Sequence, residues 1–299
     1  MKSKEMKSNA ILLLTAMIWG FAFVAQSIGM KYVETFTFNG VRFALGGVSL
    51  IPLIVYFNKK KVVEPEKKET ESAIVPGLIA GTVLFLAASL QQAGLAYTSA
   101  GKAAFITGLY IVIVPLLGIF LKQRITVNAW IGVLLAVTGL YFLSINDDFS
   151  IGKGDLLEIA GAFFWAIHIL AIDHFTKKTE ALKLSLTQFL VCSGLSMIVA
   201  FLFEDISIAG ISKAAIPILY GGLLSVGVAY TLQAVAQKNA KPAHAAIILS
   251  METVFASLGG ALILKEFLGG KEYFGCLLML FGMLLTQIKF PQKKKLADT

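Results

Sequence analysis

Cysteine, histidine and charge are all scarce in this chain. Of 299 residues only two are cysteines, Cys192 and Cys276, and only three are histidines. Both cysteines sit inside apolar stretches. They read as packing residues, and neither a disulfide framework nor a metal centre is expected. Charged residues make up 15% of the chain and apolar residues 57%. A soluble domain of that composition would have no surface to offer water. Long apolar runs with short charged punctuation mark a helical membrane protein, and these runs are too continuous for barrel strands. Sequence signatures of nucleotide and hydrolytic chemistry are absent too. No GxxxxGK[ST], HExxH or GxSxG occurs, and "SAGKAA" around Lys102 has a Gly-Lys pair without the loop or hydroxyl of a phosphate cradle. No connection is long enough to form a domain outside the membrane. The longest, 58–72, is Lys/Glu-rich with Pro65 and reads as a solvated linker.

What remains is ten apolar segments, roughly 9–29, 36–57, 73–96, 101–121, 126–145, 154–175, 183–203, 212–237, 243–264 and 269–289. Each is close to the ~20 residues that cross hydrocarbon at about 1.5 Å per residue. The first follows Lys2, Lys4 and Lys7 as a signal peptide would. It stays apolar to Gly29 with no convincing cleavage site, so it is expected to be a retained helix. Eight spans is the alternative count. Charge favours ten. With the N-terminus in the cytoplasm, nineteen of the 26 Lys and Arg fall inside and six outside, Arg42 lying within a segment. That asymmetry follows the positive-inside rule and puts both termini in the cytoplasm. It also accounts for the net charge of +8 without a nucleic-acid partner.

The segments repeat. Trp19 and Trp165 are 146 apart, as are Arg42-Phe43 and Gln188-Phe189. Pro76 and Pro217 are 141 apart, as are Gln92 and Gln233. Gly132-x-Leu-Leu-x-x-x-Gly139 matches Gly275-x-Leu-Leu-x-x-x-Gly282 at 143, with Lys122 and Lys265 at the same spacing. Nearly equal offsets in chain order describe a duplication, 1–150 and 151–299. Five helices is an odd number, so the second copy enters from the opposite side. Inverted repeats of this kind are common in secondary transporters, which bind substrate near the midplane between the halves.

Three stretches, "TAMIWGFAFV", "YTSAGKAAFITGLYIVIVPLLGIFLKQRIT" and "PAHAAIILSMETVFASLGGALILKE", make the chain resemble the EamA family of the drug/metabolite transporter superfamily. The resemblance covers essentially the whole chain. It implies an all-α integral membrane fold of ten helices in two inverted five-helix halves. It further implies a central cavity lined by the first four helices of each half, with the fifth and tenth at the periphery. Substrates of such proteins include amino acids, nucleosides, other metabolites and toxic compounds, often exported. Similar proteins often have Glu-Pro in the ninth helix. Here the pair is Glu252-Thr253, so the kink a proline would impose there is not assured.

Candidate site residues come from polar and aromatic groups at membrane depth. Ionisable groups there face a cavity or a partner. Glu252 lies midway along the ninth segment. Its alternatives are a substrate or proton site and a structural acid. Glu158, Trp165 and His168 share one helical face. His168 is either a substrate or proton site or a neutral hydrogen-bonded group. Glu158 is expected near the outer end, where water reaches it. Arg42 either attracts an anion such as a carboxylate or snorkels to headgroups. Trp19, Phe23, Tyr110 and Trp165 are expected as aromatic walls, or simply as packing. Gln26, Gln92 and Gln233 can orient a polar substrate or join helices. Trp130 and Tyr273 read as an interfacial belt. Pro52 and Pro115 are expected to kink their helices. The expectation is a carrier of a small amphipathic metabolite in the plasma membrane, with no cofactor, driven by proton coupling through Glu252 or His168 or working by facilitated diffusion. A multidrug efflux carrier, a passive channel and an intramembrane enzyme are the alternatives.

Overall fold

In hydrocarbon every backbone amide must find its partner inside the protein, and a chain of long apolar segments meets that demand as helices. The computed structural model describes residues 2–61, 72–120, 127–144, 151–240 and 242–285. Seven stretches are long and apolar enough to cross a membrane: Met6–Gly29, Thr35–Lys59, Ile74–Gly94, Ala100–Ile119, Lys153–Phe175, Ala181–Phe203 and Ala215–Gln237. The chain is a multi-pass membrane protein. They comprise α1 (Lys2–Gly29), α2 (Thr35–Lys61), α3 (Ile74–Gly94), α4 (Ala100–Thr107) with α5 (Tyr110–Phe120), then α7 (Lys153–Phe175) and α8 (Ala181–Phe203). The seventh joins α10 (Ala215–Leu219) to α11 (Thr231–Gln237) through a π-helix, Tyr220–Tyr230, and the short α9 (Ile208–Lys213) precedes it. The other three expected segments appear as shorter helices. These are α6 (Val127–Ser144), α12 (Pro242–Leu249) with α13 (Glu252–Gly259) and a second π-helical turn, Gly260–Leu264, and α14 (Gly270–Leu285). Most of the expected 58–72 linker and the end of the tenth segment lie outside the described residues.

Two helices are broken at matched places. α4 stops at Thr107 and α5 starts at Tyr110; α12 stops at Leu249 and α13 starts at Glu252. Adding 142 to the start and end of α4 and the start of α5 gives the corresponding limits of α12 and α13. Both breaks are tight turns with short backbone bonds across them. The Ile111 amide donates to the Gly108 carbonyl at 3.1 Å, and the Thr253 amide to the Ser250 carbonyl at 3.0 Å. Proline drives neither. α2 runs on through Pro52 and α5 through Pro115, while the break in the α4–α5 span falls at 108–109. The second break forms with Thr253 where a proline was in question.

The helices pack in pairs that map onto one another at the repeat offset. α2 packs on α8, and α6 on α14. The contact of α3 with α7 has its counterpart in α1 against the π-helix and α11. That of α3 with α8 has its counterpart in α2 against the π-helix, and that of α1 with α13 in α7 against α4 and α5. Glycines set the closest crossings. A Cβ on Gly20 would stand 2.8 Å from the Glu252 carbonyl oxygen and 2.9 Å from the Ala256 amide nitrogen. One on Gly81 would stand 2.8 Å from the Gln188 carbonyl, so the Gly77-x-x-x-Gly81 pattern serves the α3–α8 contact. At Gly139 it would meet Met279 and Gly275, and the duplicated glycine motif is therefore the α6–α14 crossing. That pair sits at the edge, its outward side chains including Leu134, Leu277 and Phe281. Trp130 and Tyr273 are both exposed, as an interfacial belt requires. Cys192 and Cys276 are buried and unpaired.

These crossings make a contrast that thermal unfolding can read. Gly20→Ala forces α1 from α13 and should destabilise the detergent-solubilised protein by about 1–3 kcal/mol, the usual cost of overpacking. Gly194→Ala, in α8 with nothing within 4 Å of the added carbon, should be neutral or up to ~1 kcal/mol stabilising.

Candidate functional site

The broken helices and the π-helix meet at the centre of the bundle. A π-helix throws its carbonyls out of the ordinary register, and such stretches recur at functional sites. Here the Ser225 carbonyl accepts the indole N–H of Trp19 at 3.2 Å. Around this point lies a cavity lined by both halves. α1 contributes Trp19, Ala22, Phe23 and Gln26, and α2 contributes Arg42. α3, α4 and α5 add Gln91, Thr107 and Tyr110. The second half supplies Trp165, Ile169, Ser225, Tyr230, Gln233, Leu249 and Glu252. The space left is small. Only about 30 Å³ is open to the centre of a water molecule, room for a water or two. The side chains leave it narrow.

Seven of the nine predicted site residues line it: Trp19, Phe23, Gln26, Arg42, Tyr110, Trp165 and Glu252. Two do not. Gln92 is turned away, its amide nitrogen 3.4 Å from the Gln26 carbonyl oxygen. Its neighbour Gln91 takes the place, one step around the helix. The Trp165 indole donates to Gln91 Oε1 at 2.8 Å, Gln91 Nε2 donates to Gln26 Oε1 at 3.3 Å, and Gln26 Nε2 donates to the Ala22 carbonyl at 3.1 Å. This chain of amides ties α7 to α3 and α1 across the cavity. His168 stands behind the aromatic wall. Its Nε2 is 2.9 Å from Gln188 Oε1, and its ring meets the edges of Trp165 and Tyr230 at 5.8 and 6.2 Å.

Tyr230, absent from the predicted set, is the hub of that wall. Its ring lies 4.6 Å from Trp19, 6.0 Å from Trp165 in a stacked arrangement, 6.1 Å from Phe43 and 5.9 Å from Phe189. The one sequence signal for it was its position three residues before Gln233, which the repeat had marked and which also lines the cavity. The duplicated tryptophans converge on this one ring.

Charge is placed as deliberately. Arg42 is 1% exposed, so it does not snorkel. Its Nε donates to Asn39 Oδ1 at 2.9 Å, and its guanidinium carbon lies 4.9 Å from the Phe43 ring centre and 5.6 Å from that of Phe38. Among the described residues no carboxylate pairs with it, and its two terminal nitrogens have no hydrogen-bond partner. A buried guanidinium left with a free fork on a cavity is suited to a carboxylate or another planar anion. Glu252 is also buried and accepts the Tyr110 hydroxyl at 2.9 Å. Those two residues flank the two matched helix breaks, 142 positions apart, so the breaks meet through this bond. On the other side of the first break Thr107 donates to Glu158 Oε2 at 2.9 Å. Glu158 is 0% exposed, which corrects the expectation of a solvated group. Gly94 makes room for it, since a Cβ there would stand 2.7 Å from Oε1. Outside it, Asp155 and Lys102 close the surface with an ion pair at 2.8 Å. No cluster of three or more metal-ligating side chains occurs among the described residues.

The model of the EamA-like transporter family matches the chain twice, over residues 6–145 and 152–288. The chain belongs to the EamA-like transporter family. Among curated relatives, an uncharacterized transporter of Archaeoglobus fulgidus is 30% identical over 96% of this chain and 87% of its own length. The uncharacterized transporter YoaV of Bacillus subtilis is 23% identical over 95% and 97%. One solved crystal structure aligns with a TM-score of 0.72 over 94% of this chain and 96% of its own. At 18% identity that likeness shows the fold alone. Family and relatives thus point to a membrane transporter rather than an enzyme.

The Tyr110–Glu252 bond of this EamA-like protein is open to a double-mutant cycle. Tyr110→Phe leaves a buried carboxyl oxygen without its donor and should lower stability by about 1–3 kcal/mol. In a Glu252→Gln background the same change should cost measurably less, read from melting curves of all four proteins.

Proposed function

We propose that this EamA-like protein is a secondary transporter that exports a small amphipathic metabolite across the plasma membrane by alternating access. Its ten crossings form two inverted five-helix halves, 1–150 and 151–299, with both ends in the cytoplasm. The double match of the family model, the helix breaks repeated at 142 and the mapped packing pairs support that architecture. Five crossings per half reverse the direction of the second copy. One sequence packed twice in opposite senses gives two equivalent conformations, each open to one side.

The observation that carries the reading is the narrow central cavity lined by residues 19–110 and 165–252 with a free guanidinium, a carboxylate and aromatic walls. Too small for a solute as it stands, it must open by moving one half against the other. Arg42 receives the substrate's anionic group. Trp19, Trp165 and Tyr230 cover its apolar body, and Glu252 and the glutamine chain receive its hydrogen-bond donors. Solutes of amino-acid size and polarity suit this set. Proton coupling belongs to Glu252, whose carboxyl faces the cavity, and not to His168 behind the wall. Efflux of cationic compounds is the second reading. Glu252 and the aromatic faces favour it; the uncompensated charge of Arg42 opposes it.

Flux into and out of proteoliposomes separates these readings. A carrier of carboxylated solutes should show saturation and counterflow with an amino-acid panel, where a channel shows neither. Arg42→Gln should reduce that flux at least about tenfold, the loss of one charged hydrogen bond. Glu252→Gln should abolish stimulation by a pH gradient. Absence of counterflow with every solute class, in protein that remains folded, would sink the transporter reading.

A further inference from the structure

A second cavity, of about 570 Å³, lies on the other side of α1 from the central one. Its walls are two helical stripes. Phe21, Val24, Ala25 and Ile28 face it from α1, while Ile216, Pro217 and Tyr220 face it from α10 and the start of the π-helix. Positions 21, 24, 25 and 28 recur at helical spacing, and the stripe runs for about 10 Å along the axis. The floor is sealed by the Tyr220 hydroxyl, which donates to the Ile18 carbonyl at 3.0 Å. The groove is open, and it faces the bilayer. Ile216 and Ile263 on its rim are exposed in a chain that spans a membrane.

Its polar end lies where α1 finishes and α10 begins, at the level where hydrocarbon gives way to headgroups. Two polar side chains stand there, Lys213 and Tyr32. Lys213 is exposed and forms no ion pair or hydrogen bond among the described residues. An apolar trench reaching partway into one leaflet, with a free ammonium and a phenol at its mouth, has the shape and charge of a bound amphiphile. We propose that this groove is a binding site for an anionic phospholipid, with an acyl chain between α1 and α10 and the phosphate on Lys213.

The site's position gives it a consequence. One wall belongs to the first half and the other to the second. The opposite face of α1 lines the central cavity through Trp19, Phe23 and Gln26. The width of the groove therefore depends on how the halves sit against each other. A lipid that fills it holds α1 in the closed arrangement and favours that state by its differential affinity. The lipid site does not depend on the identity of the transported solute.

The test uses the full-length protein in neutral detergent, titrated with phosphatidylglycerol or with phosphatidylcholine of the same acyl chains. Bound lipid is counted by native mass spectrometry and melting is followed in parallel. Phosphatidylglycerol should be retained in preference and should raise the melting temperature. Lys213→Ala should weaken its retention about fivefold, the share of one basic group at the membrane surface. Lys153→Ala, a basic residue at the same end that rests on the Tyr97 ring, should behave as wild type. Ala25→Phe fills the trench and should remove the site with its charge intact. Ile216→Trp, at a side chain 81% exposed, does the same where folding tolerates a large group, and keeps the test valid if Ala25→Phe does not fold. Equal retention of the two lipids, or a preference for phosphatidylglycerol that survives both Lys213→Ala and Ile216→Trp, would overturn the proposal.

Discussion

Hydrocarbon tolerates no unpaired backbone amide, and the rest of this fold follows from how the chain meets that condition. Helices satisfy it locally, so every described span is helical. A broken helix satisfies it only where protein, not lipid, surrounds the break. Both breaks, at 108–109 and 250–251, accordingly lie in the interior, closed by tight turns. The π-helix at Tyr220–Tyr230 is a third departure from regular geometry, and it too faces the centre. At these three places irregular backbone and cavity coincide because the middle of the bundle is where carbonyls can be turned out of register and still find donors; the shorter π-helical turn Gly260–Leu264 lies away from it, with Leu262 and Ile263 exposed. The Ser225 carbonyl finds Trp19 there.

The same interior allows groups that lipid would reject. A charged side chain at the middle of a membrane helix costs about 3 kcal/mol on insertion scales. Arg42, Glu158 and Glu252 are kept by different means. The carboxyls of Glu158 and Glu252 each take a hydroxyl, from Thr107 and Tyr110, and so pin the two sides of the first helix break. Arg42 rests on Asn39 and the faces of two phenylalanines with no carboxylate beside it. An arginine needed only for packing would be better served by a partner from the protein, since an unpaired buried charge is the most destabilising arrangement of all. That is why its free fork points to function.

Much of this was legible in the sequence, for identifiable reasons. The span positions follow from apolar runs, which membrane solvation makes obligatory. Of the seven predicted site residues on the cavity, Trp19, Arg42 and Trp165 were marked by the duplication, which works as a phase marker, and Glu252 by its charge at membrane depth. Positions such as Trp19 and Trp165 recur in both halves, and both converge on Tyr230. Where the phase marker failed, the physical cause is plain. Gln91 and Gln92 are neighbours on a helix apolar all round, and nothing in α3's hydropathy fixes which one faces inward. Tyr230 closes a π-helical stretch whose wider turn shifts the angular phase of everything after it. Glu158 sits one turn from a helix start, where water is the ordinary expectation. It is dry because Lys102 and Asp155 pair above it and Gly94 leaves it a recess.

The two ends of the closed bundle are held by unlike forces. At the end where α1 finishes, Glu204 binds the first amides of α2 and Glu266 the first amide of α4, at 2.7 and 2.9 Å. The Lys102–Asp155 pair lies at the same end, and Thr98 donates to Asp155. These are charge-assisted bonds between helices, strengthened by carboxylates standing at helix N-termini. Among the described residues, two of the side-chain bonds between helices at the other end are neutral. Ser8 donates to the Ala236 carbonyl and Gln237 to that of Ile169, while the ion pairs there, Asp173–Lys177 and Glu180–Lys183, are close in sequence and join no separate helices. A neutral hydrogen bond adds about 1 kcal/mol net, and one to a charged group up to about 3. The acids Asp155, Glu204 and Glu266 thus tie separate helices together at the end where α1 finishes, and each bond they make there carries the larger share that a charged partner adds.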